Sequence, residues 1–257
     1  MKSSAKPTGV SARILGLIAA TLAAGAVTQA APQRFAFNYE ATSLSAGQFE
    51  FENKVSWGHT KSSDGVEFGH ELEYGITDNF QIAAILSEWS YEKADGEGSE
   101  TNWGSAGLEL FYSFANPATD PFGGAVLLES RLGDEEFALE GRLILQKNLG
   151  AGSLVYNIGL EGVWEGSNYD EAVGEFEQTL GYTYGVGGGF NVGIEAVHDA
   201  AWVNNWKDLE ENVLYVGPSV GFRAGSFWFS AGGGWNVTNR DDEAADFVGK
   251  LRVGVVF

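Results

Sequence analysis

Residues 66–76 read Val-Glu-Phe-Gly-His-Glu-Leu-Glu-Tyr-Gly-Ile, and apolar side chains alternate with Glu and Gly along nearly the whole stretch. Successive side chains of an extended chain point to opposite sides. The five apolar side chains from Val66 to Ile76 would therefore share one face, with the glutamates and glycines on the other. This period-two pattern predicts a β-strand that has one apolar face and one polar face.

The same alternation recurs almost without interruption after residue 47. We predict twelve strands, at residues 48–57, 66–76, 80–90, 103–114, 122–132, 137–146, 154–164, 175–186, 190–199, 213–223, 227–237 and 247–257. The segments between them are too short to hold crossover helices. Neighbouring strands are therefore expected to be antiparallel.

Two kinds of connection alternate along the chain. One set is tight, at residues 77–79, 115–121, 147–152, 187–189 and 224–226. The other set is acidic and, apart from 133–136, longer: 58–65, 92–102, 133–136, 165–174, 200–212 and 238–246. An even number of strands with short turns at one end and longer loops at the other is typical of a transmembrane β-barrel. We therefore expect an all-β, antiparallel barrel with short periplasmic turns and acidic extracellular loops.

A soluble sandwich or a lipocalin-like barrel would instead place the apolar face inside. The polar face favours the inverted arrangement, because its Gly and Glu residues suit a wet lumen. The apolar face carries aromatic residues near both strand ends, as two membrane interfaces would select. These are Phe80, Tyr112, Phe114, Tyr184, Phe190, Phe222, Phe227 and Phe229 at the short-turn end, and Trp57, Trp164, Phe176, Trp235 and Phe247 at the other.

The chain ends on a strand with apolar residues at alternate positions, Leu251, Val253, Val255 and Phe257. This ending resembles the assembly signal of Gram-negative outer-membrane barrels. The hairpin at residues 73–81, Glu-Tyr-Gly-Ile-Thr-Asp-Asn-Phe-Gln, is also similar to one in poorly characterised porin-like proteins. The resemblance implies an outer-membrane location and recognition by the barrel assembly machinery. It says little about activity.

Composition excludes several other classes. The 257 residues carry a formal charge of −20, which argues against a nucleic-acid partner. The absence of Cys excludes disulfides and thiolate chemistry. A basic start, an apolar stretch and small residues up to Ala30 predict a signal peptide over residues 1–30. We assign 31–47 to an N-terminal periplasmic segment and 48–257 to the barrel.

The charged residues on the polar faces of the predicted strands indicate a charged lumen. The predicted lumen-lining residues are Glu50, Glu52, Glu67, Glu71, Glu73, Glu109, Glu129, Arg131, Glu140, Arg142, Glu161, Glu177, Glu195, Arg223, Lys250 and Arg252, with Lys54 on the same face. One interpretation is a water-filled, cation-leaning pore, because charges along a narrow path set ion preference. The other is a barrel closed by internal salt bridges. Twelve strands are compatible with both.

An enzyme is not expected. His70 shares the apolar face with Phe68 and Leu72, and hairpin pairing places Asn53 beside it. Such a pair would form two-thirds of a hydrolytic triad, but the pairing offers no Ser within reach on that face. The preferred interpretation is a mutually hydrogen-bonded pair, or a polar spot in a subunit contact.

The predicted function is passive passage of small solutes or ions through the outer membrane. The alternative is a non-conducting structural barrel whose acidic loops bind divalent cations or a partner; a lipid-modifying enzyme comes third. The other expected partners are outer-membrane lipid and lipopolysaccharide. No cofactor is expected, no loop matches the EF-hand calcium motif, and an oligomer is compatible with the sequence.

Overall fold

The computed structural model describes residues 33–94, 98–238 and 244–257. The described chain forms thirteen strands: β1 (Phe49–His59), β2 (Ser63–Thr77), β3 (Phe80–Ala94), β4 (Ser99–Trp103), β5 (Ala106–Ala115), β6 (Gly123–Leu132), β7 (Glu136–Leu149), β8 (Gly152–Glu165), β9 (Glu171–Gly187), β10 (Phe190–Val203), β11 (Asp208–Ala224), β12 (Phe227–Asn236) and β13 (Phe247–Val256). Within the described ranges, no helix is long and apolar enough to cross a membrane.

The sheet closes on itself. All neighbouring strands are antiparallel, and β1 pairs with both β2 and β13. Strands β4 and β5 both pair with β3, on successive parts of it, so they occupy one position in the wall. The barrel therefore has twelve positions, and the predicted all-β antiparallel barrel is confirmed. Phe49 and Phe257 exchange backbone hydrogen bonds of 2.9 and 2.8 Å at the closure.

The strands at the outer end are longer than the alternation predicts. Strand β9 begins at Glu171, β10 continues to Val203 and β11 begins at Asp208. The predicted loops at 165–174 and 200–212 therefore shrink to short turns. Glu211, which the sequence placed in a loop, belongs to the barrel wall, because the pairing of β8 with β9, β9 with β10 and β10 with β11 continues past the aromatic residues.

The outer surface of the barrel is apolar. Large hydrophobic side chains such as Leu110, Leu180 and Ile194 are exposed by 42–54% at mid-strand positions. Aromatic residues are exposed at both ends, among them Phe114 and Phe190 at the short turns and Trp235 at the longer loops. A continuous apolar band of this size is unfavourable in water and fits the hydrocarbon core of a bilayer.

Strand β3 contains a bulge that the alternation did not reveal. Glu71 lies opposite Ile85 and His70 lies opposite Ser87, so Leu86 is an extra residue without its own partner on β2. A bulge of this kind reverses which face the following side chains occupy. Ser87 consequently lies on the outer face, and the conclusion that no Ser lies near His70 is wrong.

The N-terminal segment lies inside the barrel. Phe35, Ala36 and Ala41 are completely buried, and Leu44 is 2% exposed. The periplasmic assignment of residues 31–47 is therefore corrected for the described residues 33–47. The inner wall removes their apolar side chains from water, and its polar side chains replace water as acceptors for their backbone N–H groups. The predicted signal peptide, residues 1–30, lies outside the described residues and stays a prediction.

Single cysteines on β9 test which face meets lipid, since the chain has no native Cys. Leu180 is on the apolar face, whereas Glu175 is an exposed residue of the inner face. In liposomes, we expect Glu175→Cys to react rapidly with a water-soluble maleimide and Leu180→Cys to be protected. Rapid labelling of Leu180→Cys with protection of Glu175→Cys would contradict the inverted barrel.

Candidate functional site in the barrel lumen

The predicted charged residues are distributed along the whole lumen. Those that are buried in the inner half or near mid-height are Glu50, Glu52, Glu71, Glu73, Glu109, Glu129, Glu195 and Arg252. Those that line the outer half, with Lys54 below them, are Glu67, Arg131, Glu140, Arg142, Glu161, Glu177 and Lys250. Arg223 lines the mouth at the short-turn end. The lumen is therefore charged from one end to the other.

The strand register joins many of these glutamates into one row. Starting at β1 near the short turns, each member is the direct cross-strand partner of the next, with small alanines at two places. The row runs Glu50, Glu73, Ala83, Glu109, Glu129, Glu140, Glu161, Glu175, Ala201 and Glu211. Because barrel strands are tilted, a row of partners climbs as it circles. These carboxylates form a helical path from the inner mouth to the outer mouth.

Basic side chains cross this path and pair with it. Arg131 bonds to Glu161, and its guanidinium also lies 3.3 Å from Glu129 and 3.7 Å from Glu88. Arg142 donates from Nε to Glu140 at 2.6 Å and also pairs with Glu177.

Two further ion pairs lie deeper in the lumen. Arg252 binds Glu52 through two hydrogen bonds of 2.6 and 3.0 Å. Lys54 pairs with Glu71. The cations neutralise part of the acidic wall and leave a carboxylate surplus.

Several lumen acids were missed by the sequence analysis. Glu88 turns inward because of the bulge at Leu86, and it accepts a hydrogen bond from Ser105 at 2.5 Å. The outer cavity is also lined by Glu175 and Asp199, the terminal residues of two predicted strands, and by Glu211, which was predicted in a loop. The strand pairing continues past all three and makes them part of the wall.

The outer half of the lumen is open space. One cavity of about 350 Å³ is lined by Arg142 and by acids that include Glu140, Glu161 and Asp199. A second cavity, of about 340 Å³, is bordered by Lys54, Glu67 and Lys250 and reaches down to Phe37 and Tyr39. These two residues of the N-terminal segment form the floor of the outer cavities.

The N-terminal segment enters the lumen from the short-turn end and returns to it. Arg34 and Glu40 join its two arms, with Arg34 Nε and Nη2 donating to Glu40 Oε1 at 2.8 and 2.5 Å. Ala46 N donates to Asp78 Oδ1 at 3.0 Å, which fixes the returning arm to the β2–β3 turn. We name residues 33–47 the inner loop.

Side chains of the wall satisfy the backbone of the inner loop. Glu195 accepts from the N–H groups of Ala36, Phe37 and Asn38 at 2.8–3.1 Å, and from Asn38 Nδ2 at 2.8 Å. Three amides extend the pattern: Asn157 accepts from Tyr39 N, Gln146 from Ala41 N and Gln81 from Leu44 N, at 2.7–2.8 Å. The backbone N–H groups of the inner loop are thus bound by side-chain acceptors of the wall and not by a paired strand.

An apolar patch of the inner wall holds the inner loop by burial. Phe35 and Ala41 pack in one cluster with side chains from four neighbouring strands, Phe111, Ala125, Leu127, Ile144 and Val155. The sequence carries a signal for this patch. At Leu143-Ile144-Leu145 both faces of β7 are apolar, which a purely polar lumen would not require.

Glycine makes room for the inner loop. A Cβ at Gly181 would lie 2.7 Å from the Phe35 ring and 2.8 Å from Asn38 Nδ2. A Cβ at Gly232 would lie 2.9 Å from Ala36 Cβ. Larger side chains at these wall positions would therefore displace the loop.

Tyr39 sits where three cations converge. The charged groups of Lys54, Arg142 and Arg252 lie 5.5, 5.2 and 5.0 Å from its ring centroid. These distances are within the range of cation–π attraction. Burial raises the pKa of the Tyr39 hydroxyl above its usual range. A neutral ring therefore stands among these three charges.

One acidic group has the spacing of a cation site. Carboxylate oxygens of Glu50, Glu52 and Glu73 all lie within 4.8 Å of one another. Each already accepts a hydrogen bond, from Trp228, Arg252 and Gln81 respectively. The group is therefore accounted for by protein donors. Divalent-cation binding at the acidic loops stays a prediction, and Asp95, Glu97, Asp241, Asp242 and Glu243 lie outside the described residues.

A family profile matches residues 27–244, which includes the inner loop as well as most of the barrel. The chain belongs to the family of unknown function DUF6662. The comparison with curated proteins gives no match. The inner loop thus lies within the matched family region.

Solved structures share the barrel architecture. The β domain of the Bordetella autotransporter BrkA has a TM-score of 0.57 at 9% identity, covering 82% of this chain and all of that one. The NanC porin (0.49, 7%, covering 80% and 98%) and LpxR from Salmonella typhimurium (0.48, 9%, covering 80% and 99%) also match. The BrkA likeness supports the outer-membrane barrel fold and carries no activity with it.

Removing the Glu195 carboxylate tests how the inner loop is held. In Glu195→Leu, we expect amide hydrogen exchange of Ala36, Phe37 and Asn38 to accelerate by about tenfold or more, because each loses a charged acceptor. Glu67→Leu, also in the lumen, is the control. Unchanged exchange in a folded Glu195→Leu barrel would contradict the assigned bonding.

Proposed function

We propose that this protein is an outer-membrane channel for small solutes and ions that favours cations and is closed at rest by its inner loop. The observation that carries the proposal is the helical row of carboxylates between the two mouths. Negative charge along a narrow path lowers the energy of a passing cation and raises that of an anion. Successive sites of similar chemistry also let an ion move on rather than remain bound.

The proposal includes the location. Export through the predicted signal peptide, followed by insertion by the barrel assembly machinery, would deliver the barrel to the outer membrane. The strand ending Leu251, Val253, Val255 and Phe257 would be read during assembly. Lipid and lipopolysaccharide would then contact the apolar outer face, with the short turns and the inner loop on the periplasmic side.

A second candidate is a non-conducting structural barrel whose acidic loops bind divalent cations or a partner. The observation in its favour is the inner loop itself, which is buried, hydrogen-bonded and packed like a permanent element. The two candidates differ in whether the loop can leave its place while the wall stays intact.

Conductance separates the candidates. The chain from residue 31 would be refolded and inserted into a planar bilayer under a KCl gradient. Phe35→Glu places a carboxylate on the apolar patch at a cost of several kcal/mol, so we expect its open fraction to rise more than about tenfold. Ser45→Glu adds the same charge at an exposed position of the inner loop and serves as the control.

The outcomes divide clearly. Rare cation-selective openings in the native chain and frequent ones in Phe35→Glu support the gated channel. A folded barrel that is silent in both forms rejects the channel and favours the structural barrel. Anion-selective openings would reject the cation preference alone.

A charge reversal tests the acidic row directly. Glu175→Lys changes an exposed member of the row in the outer half, so we expect the reversal potential to move toward anions. Glu210→Lys makes the same change next to the row member Glu211, at an exposed residue outside the row that the register leaves without a partner on β10. Equal shifts in both variants, measured in the open Phe35→Glu background, would mean that the row does not set selectivity.

A further inference from the structure

Three polar side chains form a row on the outer face. Asn53 on β1 is the direct partner of His70 on β2, and His70 is the direct partner of Ser87 on β3. All three are half-buried and lie on the apolar side of the wall. Direct cross-strand partners have Cβ atoms about 5 Å apart. The row exists only because the bulge at Leu86 turns Ser87 outward.

Hydrogen bonding orients the imidazole as a base. His70 Nδ1 lies 2.8 Å from Asn53 Oδ1, an amide oxygen that can only accept. The ring hydrogen of neutral His70 is therefore on Nδ1, and the lone pair of Nε2 is left for another donor. This is the tautomer in which a serine hydroxyl can be deprotonated. Ser87 makes no hydrogen bond to His70 at rest, as is frequent before substrate binds.

His198, a second histidine on the outer face, differs from His70. In His198, Nδ1 lies 3.3 Å from Gln178 Nε2, and Nε2 lies 2.9 Å from Asn212 Oδ1. Both of its ring nitrogens are thus engaged, whereas His70 has a single partner among the described residues. His198 therefore provides a matched control for a lipid-facing histidine without a serine opposite.

The row lies at a depth where lipid esters occur. Two residues from His70 and Ser87 toward the long-loop end, about 7 Å along the strands, the rings of Phe68 and Trp89 stack with their centroids 4.0 Å apart. Trp103, the partner of Trp89, is 76% exposed. Such aromatic rings mark the membrane interface. Below the row, Leu72 and Leu86 are 36% and 50% exposed and offer apolar surface for an acyl chain.

We propose that Ser87, His70 and Asn53 are the nucleophile, the base and the positioning residue of an acyl-ester hydrolase that acts on membrane lipids. This activity is independent of conduction through the lumen. His70 Nε2 takes the Ser87 proton as Oγ bonds to the ester carbonyl carbon. The tetrahedral intermediate then expels the lipid alcohol, which receives that proton, and leaves an acyl-serine.

Water completes the cycle. His70 deprotonates a water molecule as its oxygen attacks the acyl carbon, the bond from that carbon to Ser87 Oγ breaks, and the proton returns to Oγ. The products are a fatty acid and a lipid that lacks one acyl chain. No oxidant, metal or cofactor takes part in these bond changes.

The activity test uses the refolded chain from residue 31 in detergent–lipid micelles. Two substrates distinguish the source of the ester: a diacyl phospholipid, and an acylated glucosamine disaccharide lipid. Release of fatty acid is measured by mass spectrometry. For at least one substrate, Ser87→Ala and His70→Ala should each lower the rate by about 100-fold or more. Ser130→Ala, at a lipid-facing serine between Leu108 and Leu139, and His198→Ala should not.

A second readout does not depend on knowing the lipid. A lipophilic fluorophosphonate should form an adduct on Ser87 that peptide mass spectrometry locates, and His70→Ala should abolish it. Asn53→Ala should slow labelling, while Asn53→Asp, which keeps the acceptor, should largely restore it. If neither lipid is hydrolysed above the Ser87→Ala level and Ser87 is not labelled in the folded barrel, the proposal is overturned.

Discussion

In a bilayer core, every backbone N–H and C=O must find a partner within the protein, and this constraint closes the sheet. Pairing of β1 with β13 removes both edges, and the reciprocal hydrogen bonds between Phe49 and Phe257 complete the wall. Closure then forces the two faces of every strand into different media. Apolar side chains meet lipid, and polar ones meet an enclosed space that must satisfy them. The rest of the structure follows from how that enclosed space is filled.

The two halves of the lumen solve this problem differently. In the outer half, Arg131 and Arg142 share the wall carboxylates, and cavities remain open to the outside. In the inner half, the inner loop, residues 33–47, fills the lumen. There Glu195 and the amides Gln81, Gln146 and Asn157 act as acceptors for a backbone that has no strand partner. The result is a barrel with a charged vestibule above a packed floor.

A single extra residue changes the chemistry of both faces. The bulge at Leu86 sends Glu88 into the lumen, where Arg131 reaches it, and places Ser87 beside His70 on the outside. Irregularities of this type are common next to functional sites because they re-aim side chains without breaking the sheet. One local departure from regular pairing therefore sets the position of a side chain on each face.

The sequence by itself determined the barrel, its twelve wall positions, the aromatic ends and the inward direction of most glutamates. These features depend on the period-two alternation of side chains, which is a property of each regular strand by itself and can be read along the chain. Tertiary structure alone decided the bulge at Leu86, the alignment of the carboxylates into one row and the path of residues 33–47. Each depends on register or on contacts between residues far apart, such as Ala36 with Glu195, which alternation along the chain does not encode.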